Sequence, residues 1–158
     1  MADKLPDFIA DARIDAGYES ASHPLKFGKI MILGPYCKNG LCYLDICEGF
    51  EEFEGKTFVT RSNALVWQAE YSGRMLEPES SELAEKVYNE VLKPALRQFP
   101  KDAPWKRGPD KLEIGEYEYY NQCEGDLTAS RNWEKIIHAP TQKEIYSYSD
   151  KGKLVNLS

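Results

Sequence analysis

The chain has 158 residues and a net charge of −6, a size that holds one domain and buries a core without the help of disulfides or metals. Its Lys and Arg are dispersed among acids, which excludes a phosphate-tracking surface and with it direct nucleic-acid binding. No apolar run resembles a secretory leader or a membrane span, so a cytoplasmic protein with no membrane partner is expected.

Leu5, Phe8, Ile9 and Ala12 recur at helical spacing with Asp7, Asp11 and Arg13 between them, which predicts a short amphipathic helix ending near Gly17. After a Ser/His/Pro loop, residues 29–33 read as a strand. Gly34-Pro35 and then Lys38-Asn39-Gly40 supply turn chemistry, because Asn-Gly tolerates the positive φ of a tight hairpin. Three strands are predicted next, around residues 41–47, 56–60 and 65–71. Gly49 and Gly55 punctuate the first turn and Ser62-Asn63 the second. The pattern is an antiparallel meander.

A second helix is predicted from Ser80, whose hydroxyl offers an N-cap. Leu83, Val87, Val91, Ala95 and Leu96 form its stripe, and Pro94 kinks it or splits off its last turn. A linker through Pro104, Gly108 and Pro109 leads to strands near residues 116–123, 133–137 and 144–149. Leu154-Val155 adds a last short pairing.

The run Tyr43-Leu-Asp-Ile-Cys-Glu-Gly49 returns as Tyr119-Tyr-Asn-Gln-Cys-Glu-Gly125, and residues 66–73 are answered by residues 145–152. Such an echo predicts one supersecondary unit used twice, with repeats at about 4–76 and 79–155 fused in a single domain over 1–158. Two helix-plus-meander units give an α+β expectation.

Strand side chains alternate, so Tyr43, Asp45 and Cys47 share a face, and the second copy places Tyr117, Tyr119, Asn121 and Cys123 together. That face is predicted to point inward, joined by Trp67, Ala69 and Tyr71 and by Tyr146, Tyr148 and Asp150. It is aromatic and carries an acid or amide in mid-strand. Asp45 must therefore meet a donor, either within the protein, as from Tyr71 or Tyr119, or on a ligand in a cleft lined by Tyr43, Trp67 and Tyr117.

Arg107, in a stiff Trp-Lys-Arg-Gly-Pro loop, presents a planar fork for a carboxylate; Asp45, Glu134 or an anionic ligand are the candidate recipients. Glu48 and Glu124 beside the turn glycines read as a solvated acidic edge rather than an acid/base couple. Cys37, Cys42, Cys47 and Cys123 lack a C-x-x-C pair and are expected as free thiols. Cys47 and Cys123 hold equivalent positions and could approach each other. No spacing indicates a metal site, a catalytic triad or a phosphate loop, so no metal, cofactor or catalytic residue is expected.

Y-x-D-x-x-x-G-x-x-x-F-x-G at Tyr43 to Gly55, W-x-x-x-Y-x-G at Trp67 to Gly73, R-G-P at Arg107 to Pro109 and the closing run at Tyr117 to Asp126 resemble a prokaryotic family of unknown function. Its members occur alone or fused behind helix-turn-helix segments. The resemblance covers nearly the whole chain and implies a sensing domain, without implying a chemistry. Asp126-Leu-Thr-Ala-Ser-Arg131 and Asp150, which answers Tyr71, depart from the pattern and speak against a site symmetric across both halves.

These observations lead to a non-catalytic domain that binds a small-molecule or anionic ligand through Tyr43, Asp45, Trp67, Tyr71, Arg107 and Tyr119. The alternative is an acidic module that binds a protein partner through Glu48 to Glu54. An enzyme acting on a small metabolite stands third.

Overall fold

The computed structural model describes residues 4–18, 25–76 and 81–155. Helix α1 (Lys4–Ala12) buries Leu5, Phe8, Ile9 and Ala12, the predicted stripe, and runs on into a wider π-helical turn over Arg13–Tyr18. Strands β1 (Leu25–Phe27), β2 (Ile30–Lys38), β3 (Leu41–Gly49), β4 (Glu52–Arg61) and β5 (Ala64–Met75) follow. Next come α2 (Ser81–Val87), a π-helical stretch over Tyr88–Leu92 and α3 (Lys93–Leu96). The chain closes with β6 (Lys111–Ile114), β7 (Tyr117–Gly125), β8 (Ala129–His138) and β9 (Lys143–Leu154).

Among the described residues, nine strands form one antiparallel sheet in the order β1-β2-β3-β4-β5-β9-β8-β7-β6. The α+β expectation, with its helix-plus-meander units, is therefore corrected: the fold is predominantly β and its helices are short. The reason lies in one pairing. β5 and β9 lie side by side from Trp67 opposite Leu154 to Met75 opposite Tyr146, so the meanders share a continuous ladder. Leu154, expected to add a separate short pairing, is the end of β9 in that ladder.

Local chemistry explains most boundaries. Asn39 and Gly40 (φ 53° and 81°) turn β2 into β3, and Ser62 and Asn63 (φ 49° and 66°) turn β4 into β5, the positive-φ pairs that match the twist of a hairpin. Gly34-Pro35, expected as a turn, instead makes an irregularity inside β2, where the register with β3 shifts between Leu33 and Tyr36. Gly55 is not in a turn either; it lies within β4 opposite Tyr71. β6 carries no sequence signal strong enough to predict it. Pro94, expected to kink the helix or split off its last turn, falls in the first turn of α3, where a missing N–H is tolerated, after the π-helical stretch over Tyr88–Leu92, which the sequence did not predict. Ser80 lies outside the described residues.

The free-thiol expectation is corrected at two positions: Cys37 and Cys42, register partners on β2 and β3, form a disulfide. Hairpin pairing brings their Cα atoms to 4.1 Å, a proximity that sequence spacing alone did not reveal. Cys47 and Cys123 are free and are not joined to each other. No helix among the described residues is long and apolar enough to cross a membrane.

One face of the sheet carries two hydrophobic clusters. In the first, the α1 stripe packs on Leu41, Tyr43, Val59, Trp67 and Ala69. In the second, Val87, Val91, Leu92, Ala95 and Leu96 pack on Tyr119, Ile136, Ile145, Tyr146 and Tyr148. The alternation in β3, with Leu41, Tyr43, Asp45 and Cys47 buried and Ile46 exposed, matches the predicted inward face.

Candidate functional site

Polar side chains and a cavity of about 450 Å³ occupy the region where the clusters meet; Tyr43, Asp45, Trp67, Tyr71 and Arg107 all line it. These are five of the six side chains the sequence singled out. Tyr119 lies outside the cavity, fully buried in the second cluster. Tyr117, also expected on the cleft wall, packs instead against His138 at the far end of β7, with ring centroids 5.3 Å apart.

Three acids form the polar seam, and each is met by a tyrosine hydroxyl. Asp45 accepts from Tyr71 at 2.9 and 3.0 Å and from the Thr57 hydroxyl at 2.9 Å. Asp150 accepts from Tyr148 at 2.9 Å and from the Asn132 amide at 3.0 Å. Glu134, its side chain fully buried, accepts from Tyr119, from Tyr146 at 3.4 Å and from the Arg107 Nε at 3.3 Å. Of the recipients offered for Arg107, Glu134 is the one it bonds. For Asp45 the donor within the protein is Tyr71.

Strand geometry explains this assembly. Tyr71 on β5 and Asp150 on β9 are direct register partners, and Gly55 on β4 leaves room for the Tyr71 ring. The Tyr71 and Tyr148 rings stack with centroids 6.0 Å apart, and the Arg107 guanidinium lies 4.2 Å from the Tyr148 centroid.

Burial governs the protonation of the seam. Desolvation pushes the Asp45 carboxyl above its ordinary range against the lowering pull of Tyr71, Thr57 and Arg107. It does the same to Asp150 against Asn132, Arg107 and Tyr148. The Tyr71 phenol is pushed far up by burial and then by the neighbouring Asp45 charge, so it keeps its proton and acts as donor. Burial likewise raises the Cys47 thiol, which leaves it a poor nucleophile.

Arg13 carried no sequence signal beyond its place on the first helix, yet it fixes the loop that bears Arg107. Its guanidinium donates to the backbone carbonyls of Pro104 (2.7 Å), Lys106 (2.6 Å) and Arg107 (2.8 Å) and lies 3.9 Å from the Phe99 ring centroid. Asp150 had a weak signal, since its replacement of the expected aromatic was the irregularity in the echo. Trp67 is buried, and its indole N–H has no partner among the described residues; the buried Trp105 indole N–H of the same cavity lining has none there either.

Other candidates stand apart. Glu48 and Glu54 are exposed register partners on the opposite face of the sheet, beside Ile30, Ile46, Phe58 and Trp133. His138 bonds Thr141 and Glu116, and it pairs with Tyr117 while Cys123 pairs with Asn132 further along β7, so it is no base for that thiol. Among the described residues no three His, Cys, Asp or Glu side chains are grouped to hold a metal ion.

No curated protein and no solved structure matches the chain. The family described as Domain of unknown function (DUF5680) matches residues 45–155, the stretch that carries Asp45, Arg107, Glu134 and Asp150, and the chain belongs to that family.

Proposed function

We propose that this protein is a small-molecule-binding domain of sensor type. The observation that carries the reading is the cavity of about 450 Å³, which falls in the size range of small-molecule sites and has their composition: aromatic and aliphatic walls with a few fixed polar groups. Its acids are positioned by strands, Asp45 on β3 and Asp150 on β9, and the loop that bears Arg107 is fixed by Arg13. The two unpartnered indole N–H groups on its wall are donors that a bound molecule can satisfy. The resemblance to domains fused behind helix-turn-helix segments supports a role in reporting occupancy to a partner.

A fragment screen followed by thermal shift tests this reading, with Trp67→Ala as the comparison. Compounds that raise the midpoint of the wild type by several degrees and of the variant by far less are the expected result. A broad library that moves neither protein would remove the reading.

A second reading rests on Asp45 alone. A carboxyl pushed up by burial beside a cavity is a candidate general acid, and so points to an enzyme acting on a small metabolite. Turnover of a bound compound that disappears in Asp45→Asn while binding persists would favour it over a sensor.

A further inference from the structure

The ionic character of the seam narrows what the cavity takes, on the reading that it binds a small molecule. Arg107 is held by Glu134. Arg13, also on the wall, bonds three backbone carbonyls. At the rim, exposed Lys26 and Glu85 carry opposite charges. The carboxyls of Asp45 and Asp150 remain on the wall, and neither has a cation within salt-bridge distance among the described residues. Their hydrogen-bond donors are neutral, Thr57 and Tyr71 for Asp45 and Asn132 and Tyr148 for Asp150; the Arg107 charge reaches both from beyond salt-bridge distance while bonded to Glu134. Cys47 lies beside Tyr71.

Tyr43, Trp67, Tyr71 and Tyr148 line the same cavity, the Tyr148 ring already stacked on Tyr71 and carrying the Arg107 guanidinium. Three buried acids served by one guanidinium, itself bonded to Glu134, combined with aromatic walls suit a positive charge, through Coulomb attraction and cation–π contact together. The indole N–H of Trp67, more than nine-tenths buried and unpartnered on the same wall, asks for an acceptor atom. We propose that the cavity binds a small organic amine that also carries an oxygen acceptor, its ammonium directed to Asp45 and Asp150 and its oxygen to the Trp67 indole.

The Asp45 and Asp150 carboxyls, pushed up by burial, add a proton linkage. Binding a cation favours their ionised form, so amine affinity rises with pH through their titration while the amine stays protonated.

Calorimetry on the full chain with charge-matched triplets tests the proposal. One triplet is tyramine, 4-ethylphenol and 3-(4-hydroxyphenyl)propanoate; the second is the corresponding amine, neutral and acid forms of indole. At least one amine is expected to bind roughly tenfold or more tightly than its neutral partner, with its acid silent. Asp45→Asn and Asp150→Asn should each erase most of the amine preference, and Trp67→Phe should weaken the amine while leaving the preference intact. A neutral compound or an acid that binds as tightly as its amine overturns the cation assignment and leaves the binding reading standing. Silence from both triplets overturns the assignment; silence from the fragment screen as well overturns the binding reading.

Discussion

The guanidinium of Arg13, at the end of the first helix, donates to the backbone carbonyl of Arg107 at 2.8 Å, although 94 residues separate them in sequence. One buried cation thus holds the loop that brings another to Glu134. The same side chain bonds Pro104 and Lys106, so the first helix and the second half of the sheet are tied together beside the cavity.

Arg13→Met should therefore cost about 3 kcal/mol, because it leaves three carbonyls to find other partners while keeping most of the apolar stem. Arg13→Lys should recover little, since an ammonium cannot reproduce the planar fork. Urea unfolding measures both. A loss under 1 kcal/mol in each variant would mean that the loop holds its place without Arg13.

Stability should fall as pH rises through the range in which buried Asp45 and Asp150 ionise. Their folded pKa values lie above the ordinary carboxylate value, so between the two values the folded state binds more protons than the unfolded chain. The stabilising contribution is complete below the unfolded pKa and lost as pH passes the folded one. Asp45→Asn should flatten this slope, as read from denaturation midpoints across mildly acidic pH. An unchanged slope in both Asp45→Asn and Asp150→Asn would show that these groups do not set it.

Gly55→Ala should destabilise by about 1–3 kcal/mol, the usual range for overpacking a filled interior. The added methyl would meet the Tyr71 ring and lie 2.6 Å from the Ile46 carbonyl oxygen. The Tyr71 ring would have to move away from Asp45. Tyr71→Phe, which removes the hydroxyl alone, separates the two effects: because the Tyr71 bond pulls the Asp45 carboxyl down against burial, a further rise of its titration in both variants supports the linkage, and a neutral Gly55→Ala contradicts the packing.

Thiol titration in denaturant should find two reactive cysteines, Cys47 and Cys123, before reduction and all four after it. The Cys37–Cys42 loop is short, with a separation of 5 residues, so reducing the bond should lower stability by only about 2 kcal/mol on chain-entropy grounds. Four reactive thiols without reductant would contradict the bond.

Much of the candidate site was legible because β-strand alternation is local. Once Tyr43, Asp45 and Cys47 shared a face, the aromatic content of the similar run from Tyr117 to Cys123 identified that face as the inner one, and the burial of Tyr43, Asp45 and Trp67 follows. Asn39-Gly40 and Ser62-Asn63 were legible for the same reason: a positive-φ pair is a property of two residues. Tyr119 shared the face and yet lies away from the cavity, because alternation fixes which side a residue points to and not what stands above it.

Sequence by itself determined the amphipathic first helix, the hairpin turns and the aromatic, hydrogen-bonding inner face, all set by period and backbone preference within a few residues. Only the tertiary structure decided that β5 pairs with β9, which turned two meanders into one predominantly β sheet and set Tyr71 opposite Asp150. It also decided that Arg13 reaches Arg107 and that Cys37 meets Cys42. Edge-to-edge pairing and long-range bonds depend on which surfaces remain unpaired after the local elements form, and no window of neighbouring residues contains that information.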